Sequence, residues 1–214
     1  IGKEAATAIS QKAAHRGTMM HHLLDWYFGG MMEIEELRME LDNKFPSFTD
    51  DEKNIAFGLF SVLYNGGVFD SIKDVDSIEK SIYSLENGGF WGKTDFVAVK
   101  NNGSKVIVDF KSSKSVHTKD NKIEKYKLQL AGYWIAWSET MGERLDGCEL
   151  WIAHEDSDVP EVIELHGSEL RKKCSEFLEM VYMWHKQFAQ PVETVLGINE
   201  MKNIISFDKF ITEN

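Results

Sequence analysis

The chain has 214 residues, of which 43% are hydrophobic and 28% are charged, a composition typical of a folded domain and not of a disordered segment. The 24 basic and 35 acidic residues give a formal net charge of −11 at pH 7. This charge excludes a protein that coats nucleic acid along its whole surface, because such a chain repels a polyanion on average.

The first third of the chain, residues 1–66, is predicted to be helical. Its start is rich in Ala, Leu, Met and His, and Gly29-Gly30 ends the first helical pattern. Gly17 is expected to disturb this helix. A capping box, Thr49-Asp50-Asp51-Glu52, opens the third helix. The three predicted helices are Lys3–Phe28, Met32–Leu41 and Thr49–Tyr64.

The hydrophobic period then changes to that of strands, in a core predicted over residues 76–190. Asn102-Gly103, between two such segments, is typical of a type I′ hairpin turn. The order of elements predicts one mixed α/β domain over 1–214, with a central sheet flanked by helices and a tail at 191–214. The predicted strands are Ile78–Tyr83, Phe90–Val99, Lys105–Lys111, Cys148–His154 and Glu161–Leu165, and the predicted helices are Lys122–Glu139 and Glu169–Gln187.

The two cysteines and the lack of a long apolar run limit the cofactors and the cellular compartment that we expect for the protein. Two thiols exclude a disulfide framework and an iron–sulfur cluster held by four cysteines. No apolar run approaches the roughly 20 residues of a membrane span, so we expect a cytoplasmic protein without a membrane partner. The chain starts at Ile1 and not Met, so an organellar targeting segment upstream stays open.

The stretch Val106–Lys111 places an acid and a lysine together on a hydrophobic strand. Because side chains alternate along a strand, Asp109 and Lys111 share a face with Ile107, opposite Val106, Val108 and Phe110. Taken alone, this pattern is equally that of a solvated face with a weak ion pair.

A second acid, Asp95, lies on the preceding predicted strand. If the Asn-Gly hairpin pairs the two strands, Asp95 can lie beside Asp109. Two adjacent carboxylates repel each other unless a cation lies between them, and oxygen ligands suit Mg²⁺ or Mn²⁺. Such an ion activates water and polarises phosphoryl oxygens, and Lys111 could orient that water or stabilise developing charge. The pattern therefore points to phosphodiester hydrolysis.

Several motifs in this order resemble the PD-(D/E)XK nuclease superfamily. Asp95 and then Asp109-Phe110-Lys111 look like its signature, with Gly92-x-x-Asp95 in place of the Pro-Asp half. Arg16-Gly17-Thr18-Met19-Met20-His21 resembles the N-terminal helix motif of the RecB-like branch. That motif usually continues to a Glu, and here the acid is Asp25.

A fourth motif, Gln129-Leu130-Ala131-Gly132-Tyr133, resembles the Gln-x-x-x-Tyr helix of the same branch. Within the branch the chain looks most like phage-type exonucleases and mitochondrial genome maintenance exonucleases. The resemblance implies a restriction-endonuclease-like core with the N-terminal helices over the active site. It excludes the relatives that carry an iron–sulfur cluster, which need four cysteines.

The resemblance implies a role for each matched position. Lys111 would act in catalysis, and Gln129 with Tyr133 would place the scissile phosphate or support Lys111. One or two Mg²⁺ or Mn²⁺ ions would be bound, and an imidazole ligand favours Mn²⁺. The implied catalytic residues are Asp95, Asp109, Lys111 and Gln129, and the implied metal ligands are His21, Asp95, Asp109 and the carbonyl of Phe110.

Each of these positions also has an ordinary structural interpretation. His21 could be a half-buried histidine of an amphipathic helix, and Gln129 and Tyr133 could belong to core packing. Glu79 is interpreted as a solvated acid at the edge of a strand, with contact to the metal as the alternative. The other histidines show no ligand spacing.

A basic segment, 111–127, follows the proposed catalytic lysine. Its six lysines against two acids give +4, which leaves −15 for the rest of the chain. A phosphate backbone would pass here. Aromatic side chains such as Phe90, Trp91, Tyr27 and Trp134 could stack on unpaired bases, although most tryptophans are expected in the core. The candidate DNA contacts are Arg16, Ser112, Ser113, Lys114, Lys122, Lys125 and Tyr133.

The resulting hypothesis is a metal-dependent DNA exonuclease that prefers single-stranded ends and acts in DNA repair or recombination. Two alternatives stay open. One is a structure-specific endonuclease of the same fold, which would cut substrates with blocked ends. The other is a nonenzymatic nucleic-acid-binding subunit with a relic site, which would bind without forming product.

Overall fold

The computed structural model describes residues 2–30, 33–116, 120–188 and 205–206. Most of the predicted tail, 191–214, lies outside the described residues. The helices are α1 (Lys3–Phe28), α2 (Ile34–Lys44), α3 (Asp50–Asn65), α4 (Asp120–Met141) and α5 (Gly167–Phe188). The strands are β1 (Ile72–Ser84), β2 (Phe90–Lys100), β3 (Lys105–Ser113), β4 (Gly147–His154), β5 (Glu161–His166) and β6 (Ile205–Ser206).

Strands β1 to β5 lie side by side in chain order. Strands β3 and β4 are parallel, and α4 supplies the crossover connection that a parallel pair requires. The other neighbours among these five strands are antiparallel, and β6 pairs in parallel with the start of β2. This mixed sheet flanked by helices confirms the predicted fold class.

Each face of the sheet has its own apolar core. Helices α4 and α5 pack on one face, and α1, α2 and α3 pack on the other. The predicted alternation along β3 is confirmed, because Ile107 belongs to the first core and Val106 and Val108 to the second. Strand β4 is buried along its whole length because both of its faces are covered. No helix in the described ranges is both long and apolar enough to cross a bilayer.

The structure corrects two expectations, one about the continuity of a helix and one about the start of a strand. Helix α1 continues through Gly17, where an added Cβ would make only an ordinary van der Waals contact with Ser112 Oγ at 3.5 Å. Strand β1 starts at Ile72, well before the predicted start. The sequence pattern missed its first part because two register shifts near Asp74 break the alternation there. The capping box of Thr49 is confirmed.

The turn between β2 and β3 is not the predicted type I′ turn. Gly103 has φ +87° but Asn102 does not have a positive φ. Gly103 N donates to Lys100 O, and Lys100 N donates to Ser104 O, so the loop has three residues and ends in a left-handed glycine. The extra residue shifts the register by one position, so that Phe96 pairs with Val108, and Asp95 and Asp109 are the residues next to this last pair.

Glu79 adopts an unusual backbone conformation in the middle of β1. Its φ is +52°, in the left-handed region that non-glycine residues rarely occupy. Ile78 packs on the α1–α3 side of the sheet, whereas Ile82 packs in the α4–α5 core, although residues four apart on a strand normally share a face. The hairpin of β1 and β2 therefore changes sides at Glu79, directly opposite Asp95.

Candidate active site

Asp95 lies where β2 and β3 stop pairing. The paired residues end at Phe96 and Val108. Beyond that point the Asp95 carboxylate takes the place of a backbone carbonyl, because its Oδ2 accepts a hydrogen bond from Phe110 N at 2.9 Å. The strands thus separate around an acidic side chain, and the gap is available to other polar groups.

Helix α1 brings His21 into this gap. His21 Nε2 lies 3.0 Å from Phe110 O, and Nδ1 lies 3.5 Å from Asp95 Oδ1. Asp25, one helical turn after His21, is half-buried near the same groups, and burial raises its pKa to about 6. Three of the four predicted metal ligands, including the Phe110 carbonyl, are therefore in contact.

Asp109, the fourth predicted ligand, lies deeper. Its side chain is 1% exposed, and Lys111 Nζ lies 2.5 Å from its Oδ2. Among the described residues, neither Asp109 oxygen has a partner with the geometry of a hydrogen bond. Lys111 compensates Oδ2, but a buried carboxylate oxygen without a partner, such as Oδ1, is costly unless a further donor or cation reaches it.

The pKa values of Asp95 and Asp109 are shifted in opposite directions. Burial raises the pKa of Asp109 to about 6, and Asp95 adds to this rise while Lys111 opposes it. Burial also acts to raise the pKa of Asp95, but His21, Lys111 and the Phe110 N–H outweigh burial and lower it to about 2. The pKa of Lys111 is raised because its carboxylate neighbours outweigh burial, so this lysine is charged at neutral pH.

The donor types of these groups suit a divalent cation, although Asp109 is not among the residues whose ligand atoms lie within 4.8 Å of one another. Carboxylate oxygens, a backbone carbonyl and an imidazole form a donor set that suits Mg²⁺ or Mn²⁺, and the imidazole favours Mn²⁺. The bare Asp109 oxygen supplies the observation that is independent of the motif. His21, Asp95, Asp109 and the Phe110 carbonyl are the residues that would hold the ion.

Glu79 was interpreted from the sequence as a solvated edge acid, with contact to the metal as the alternative, and the structure places it partly exposed beside two predicted ligands. A ligand atom from each of His21, Glu79 and Asp95 lies within 4.8 Å of the others. Glu79 also forms an ion pair with Lys93. Alternation alone could not reveal this, since the left-handed residue reorients the strand. The useful signal was its position opposite Asp95 in the hairpin.

Glu79→Gln should weaken Mn²⁺ binding about tenfold while the fold is retained. The amide keeps the size of the side chain but removes a negative charge beside the two predicted ligands, and groups of this kind typically tune metal affinity 10- to 100-fold. Isothermal titration with Mn²⁺ measures the change. Glu86→Gln, an exposed acid in the β1–β2 turn, is the matched control. Equal Mn²⁺ affinity for Glu79→Gln and the wild type would remove Glu79 from the site.

Gln129 and Tyr133 lie one turn apart on α4 and contact each other. Gln129 Nε2 donates to Tyr133 OH at 2.8 Å, and both side chains are buried. Tyr133 is 3% exposed, so it offers little surface for direct contact with DNA. The sequence interpretation missed Tyr126, whose ring lies 5.1 Å from Lys111 Nζ. It is one turn before the Gln-x-x-x-Tyr motif, which could have drawn attention to it.

The residues that were predicted to contact DNA differ in their exposure and in their present partners. Arg16 forms an ion pair with Glu155 at 2.8 Å, and Lys122 Nζ lies 5.6 Å from the Tyr126 ring. Ser112 faces Gly17 on α1. The lysines of the basic segment differ in their surroundings. Lys114 and Lys125 are exposed, whereas Lys127 forms ion pairs with two glutamates. Ser113 donates to Ser115 O, and Lys119 lies outside the described residues.

A cavity of about 390 Å³ opens at the opposite end of β3 and β4 and contains none of the predicted site residues. Its most buried charge, Glu149, is already bound by Lys100 Nζ and Trp151 Nε1, each at 2.8 Å. The predicted site residues therefore lie at the gap between β2 and β3 and not in this cavity.

The mixed sheet and the acidic gap between β2 and β3 are consistent with a nuclease, and a comparison with protein families shows the class. The family model of the PD-(D/E)XK nuclease superfamily matches residues 3–195, and the chain belongs to that superfamily. Nucleases of this superfamily use divalent metals and act on nucleic acid. None of the curated proteins matches the chain in sequence.

Solved structures share the fold. A candidate exonuclease from Eubacterium rectale is 16% identical with a TM-score of 0.53, over 80% of this chain and 65% of that one. The chain therefore spans about two thirds of that protein. The protein SSO0001 is 14% identical with a TM-score of 0.39, over 83% of this chain and 96% of that one. At these identities the first likeness shows the fold alone.

Proposed function

We propose that the protein is a divalent-metal-dependent DNA exonuclease that prefers single-stranded ends. The observation that carries the proposal is the buried Asp109 carboxylate, whose Oδ2 is ion-paired with Lys111 and whose Oδ1 has no hydrogen-bond partner among the described residues, next to the His21–Asp95 pair. The similarity of the fold to a candidate exonuclease and the motifs of the RecB-like branch support the choice of an exonuclease.

Each residue of the gap has a different role in the proposed hydrolysis. A bound Mg²⁺ or Mn²⁺ supplies Lewis acidity toward the phosphate and lowers the pKa of water. Lys111, held charged by Asp109, stabilises the negative charge that develops on the phosphate and orients the attacking water. Asp95 keeps His21 in place, and the Tyr126 ring lies against the Lys111 ammonium.

The substrate would approach along the surface next to β3 and the start of α4. Exposed Lys114 and Lys125 offer positive charge to the phosphate backbone there. Lys122, Ser112 and Ser113 belong to the same proposed surface. Arg16 would join it by exchanging Glu155 for a phosphate. Gln129 with Tyr133, being buried, would support the site from behind.

The decisive experiment uses a single-stranded oligonucleotide with a label at one end and a block at either end, incubated with Mg²⁺, Mn²⁺ or EDTA. The proposal predicts metal-dependent release of short products that stops when the required end is blocked. A circular single strand of the same sequence should stay intact. Rapid cutting of the circle would show an endonuclease, and binding without product would show a relic site.

A further inference from the structure

The outer half of the β1–β2 hairpin presents an exposed face that the nuclease motifs do not include. Ser81 pairs with Lys93 and Tyr83 pairs with Trp91, and directly paired residues lie on the same face. The opposite face, with Ile82 and Phe90, is buried. We call the four residues Ser81, Tyr83, Trp91 and Lys93 the hairpin face.

The two aromatic side chains of the hairpin face are open to solvent. Tyr83 is 47% exposed and Trp91 is 43% exposed. Most large aromatic side chains of the described residues are buried or partly buried in one of the two cores, so this placement is unusual for the molecule. A flat exposed ring is a surface on which an unpaired base can stack.

The backbone under these rings is held firmly by α4. Tyr83 N donates to Thr140 Oγ1, and Thr140 Oγ1 donates to Tyr83 O, both at 2.8 Å. Glu139 accepts hydrogen bonds from Leu85 N and Ser84 Oγ at the tip of the hairpin. A rigid platform loses little conformational entropy when a ligand binds to it.

The hairpin face is continuous with the candidate active site. Lys93 forms an ion pair with Glu79, which belongs to the cluster with His21 and Asp95. Trp91 lies four residues before Asp95 on the same strand, a distance of about 13 Å at about 3.3 Å per residue. That distance corresponds to about four stacked nucleotides at about 3.4 Å each.

We infer that the hairpin face binds the unpaired bases of a single strand whose phosphate occupies the gap between β2 and β3. Trp91 and Tyr83 stack on bases, and Lys93 lies between them and the site as a positive charge for the backbone. This inference rests on the proposed function and specifies its substrate as unpaired nucleotides about four positions from the scissile bond.

The test measures binding separately from cleavage. The full chain, its Trp91→Ala and Tyr83→Ala variants and the control Tyr182→Ala, an exposed tyrosine on α5, are titrated in EDTA with a fluorescent 20-nucleotide oligo-dT and with a 20-base-pair duplex. Each hairpin variant should bind oligo-dT about tenfold more weakly, with little change for the duplex. Trp91→Phe should recover most of the affinity, and Tyr182→Ala should match the wild type.

Cleavage assays distinguish this inference from the proposed function. A trinucleotide is too short to reach Trp91, so Trp91→Ala should hydrolyse it at the wild-type rate and lose efficiency on the 20-nucleotide strand. Unchanged oligo-dT affinity in both hairpin variants would overturn the inference while wild-type cleavage still upheld the proposed function. A shift of oligomeric state in Trp91→Ala with unchanged DNA affinity would identify the face as a contact between copies and equally overturn it.

Discussion

Lys111→Met should reduce the rate of phosphodiester cleavage about 10²- to 10³-fold at saturating Mn²⁺. The ammonium group is held beside Asp109 at 2.5 Å and supplies charge stabilisation in a largely buried setting, where one such donor is worth about 3–4 kcal/mol. Methionine keeps much of the aliphatic stem, so packing is largely preserved. Single-turnover cleavage of an end-labelled strand gives the rate of the chemical step.

The matched control for this loss is Lys172→Met, because Lys172 is an exposed lysine on α5 with one long ion pair to Glu176. It should cleave at the wild-type rate. Circular dichroism should show the same fold for both variants at a temperature well below the melting transition. If Lys111→Met kept Mn²⁺-dependent cleavage, Lys111 would not be the catalytic lysine.

Mn²⁺ should raise the melting temperature of the wild type by about 5–10 °C, and Asp109→Asn should remove most of that rise. A ligand at 100 times its dissociation constant stabilises the folded state by about 2.7 kcal/mol. For a chain of this size each kcal/mol shifts the melting temperature by about 2–4 °C. The amide has the size of the carboxylate but lacks the charge that the cation would neutralise.

Differential scanning fluorimetry with and without Mn²⁺ measures this shift, and it does so without any activity assay. Asp158→Asn, an exposed acid in the turn between β4 and β5, is the control and should keep the full rise. An equal Mn²⁺ effect on Asp109→Asn and on the wild type would place the metal elsewhere.

The rise in melting temperature should also depend on pH. Protons compete with the cation for Asp109, because burial raises the pKa of this carboxyl to about 6. Burial tends to lower the pKa of His21, but the Asp95 charge outweighs it, so His21 also holds its proton above the ordinary value. Both ligands must lose their protons to bind metal. The Mn²⁺ effect should therefore be full near pH 8 and shrink as the pH falls through 6.

Much of the fold could be predicted because it depends on local patterns. The alternation along β3 decides which side chains enter which core, and the burial of Val106 and Ile107 follows from it directly. The convergence of Asp95 with Asp109 could be predicted from the hairpin. The turn type was nevertheless wrong, and the three-residue loop ending at Gly103 was needed to set the register that joins the two acids.

The remaining features depend on backbone geometry that residue patterns do not encode. A positive φ at Glu79 carries no sequence signal, since glutamate rarely adopts it, and it moves this acid into the cluster with His21. Tyr126 lies beside Lys111 because α4 packs against the sheet that contains β3, which brings two residues of different elements together. Such contacts are decided by tertiary packing and not by periodicity.

The hydrogen bond from Phe110 N to Asp95 means that one side chain both lies at the end of a strand pairing and belongs to the proposed metal ligands. An alanine at position 95 would therefore not distinguish two effects, because loss of a metal ligand and disturbance of the β2–β3 pairing would both abolish activity. Asp95→Asn separates them, since its carbonyl oxygen can still accept from Phe110 N. A descendant that had abandoned catalysis should still retain an acceptor at position 95, so the survival of Asp, Asn, Ser or Thr there is weak evidence of activity.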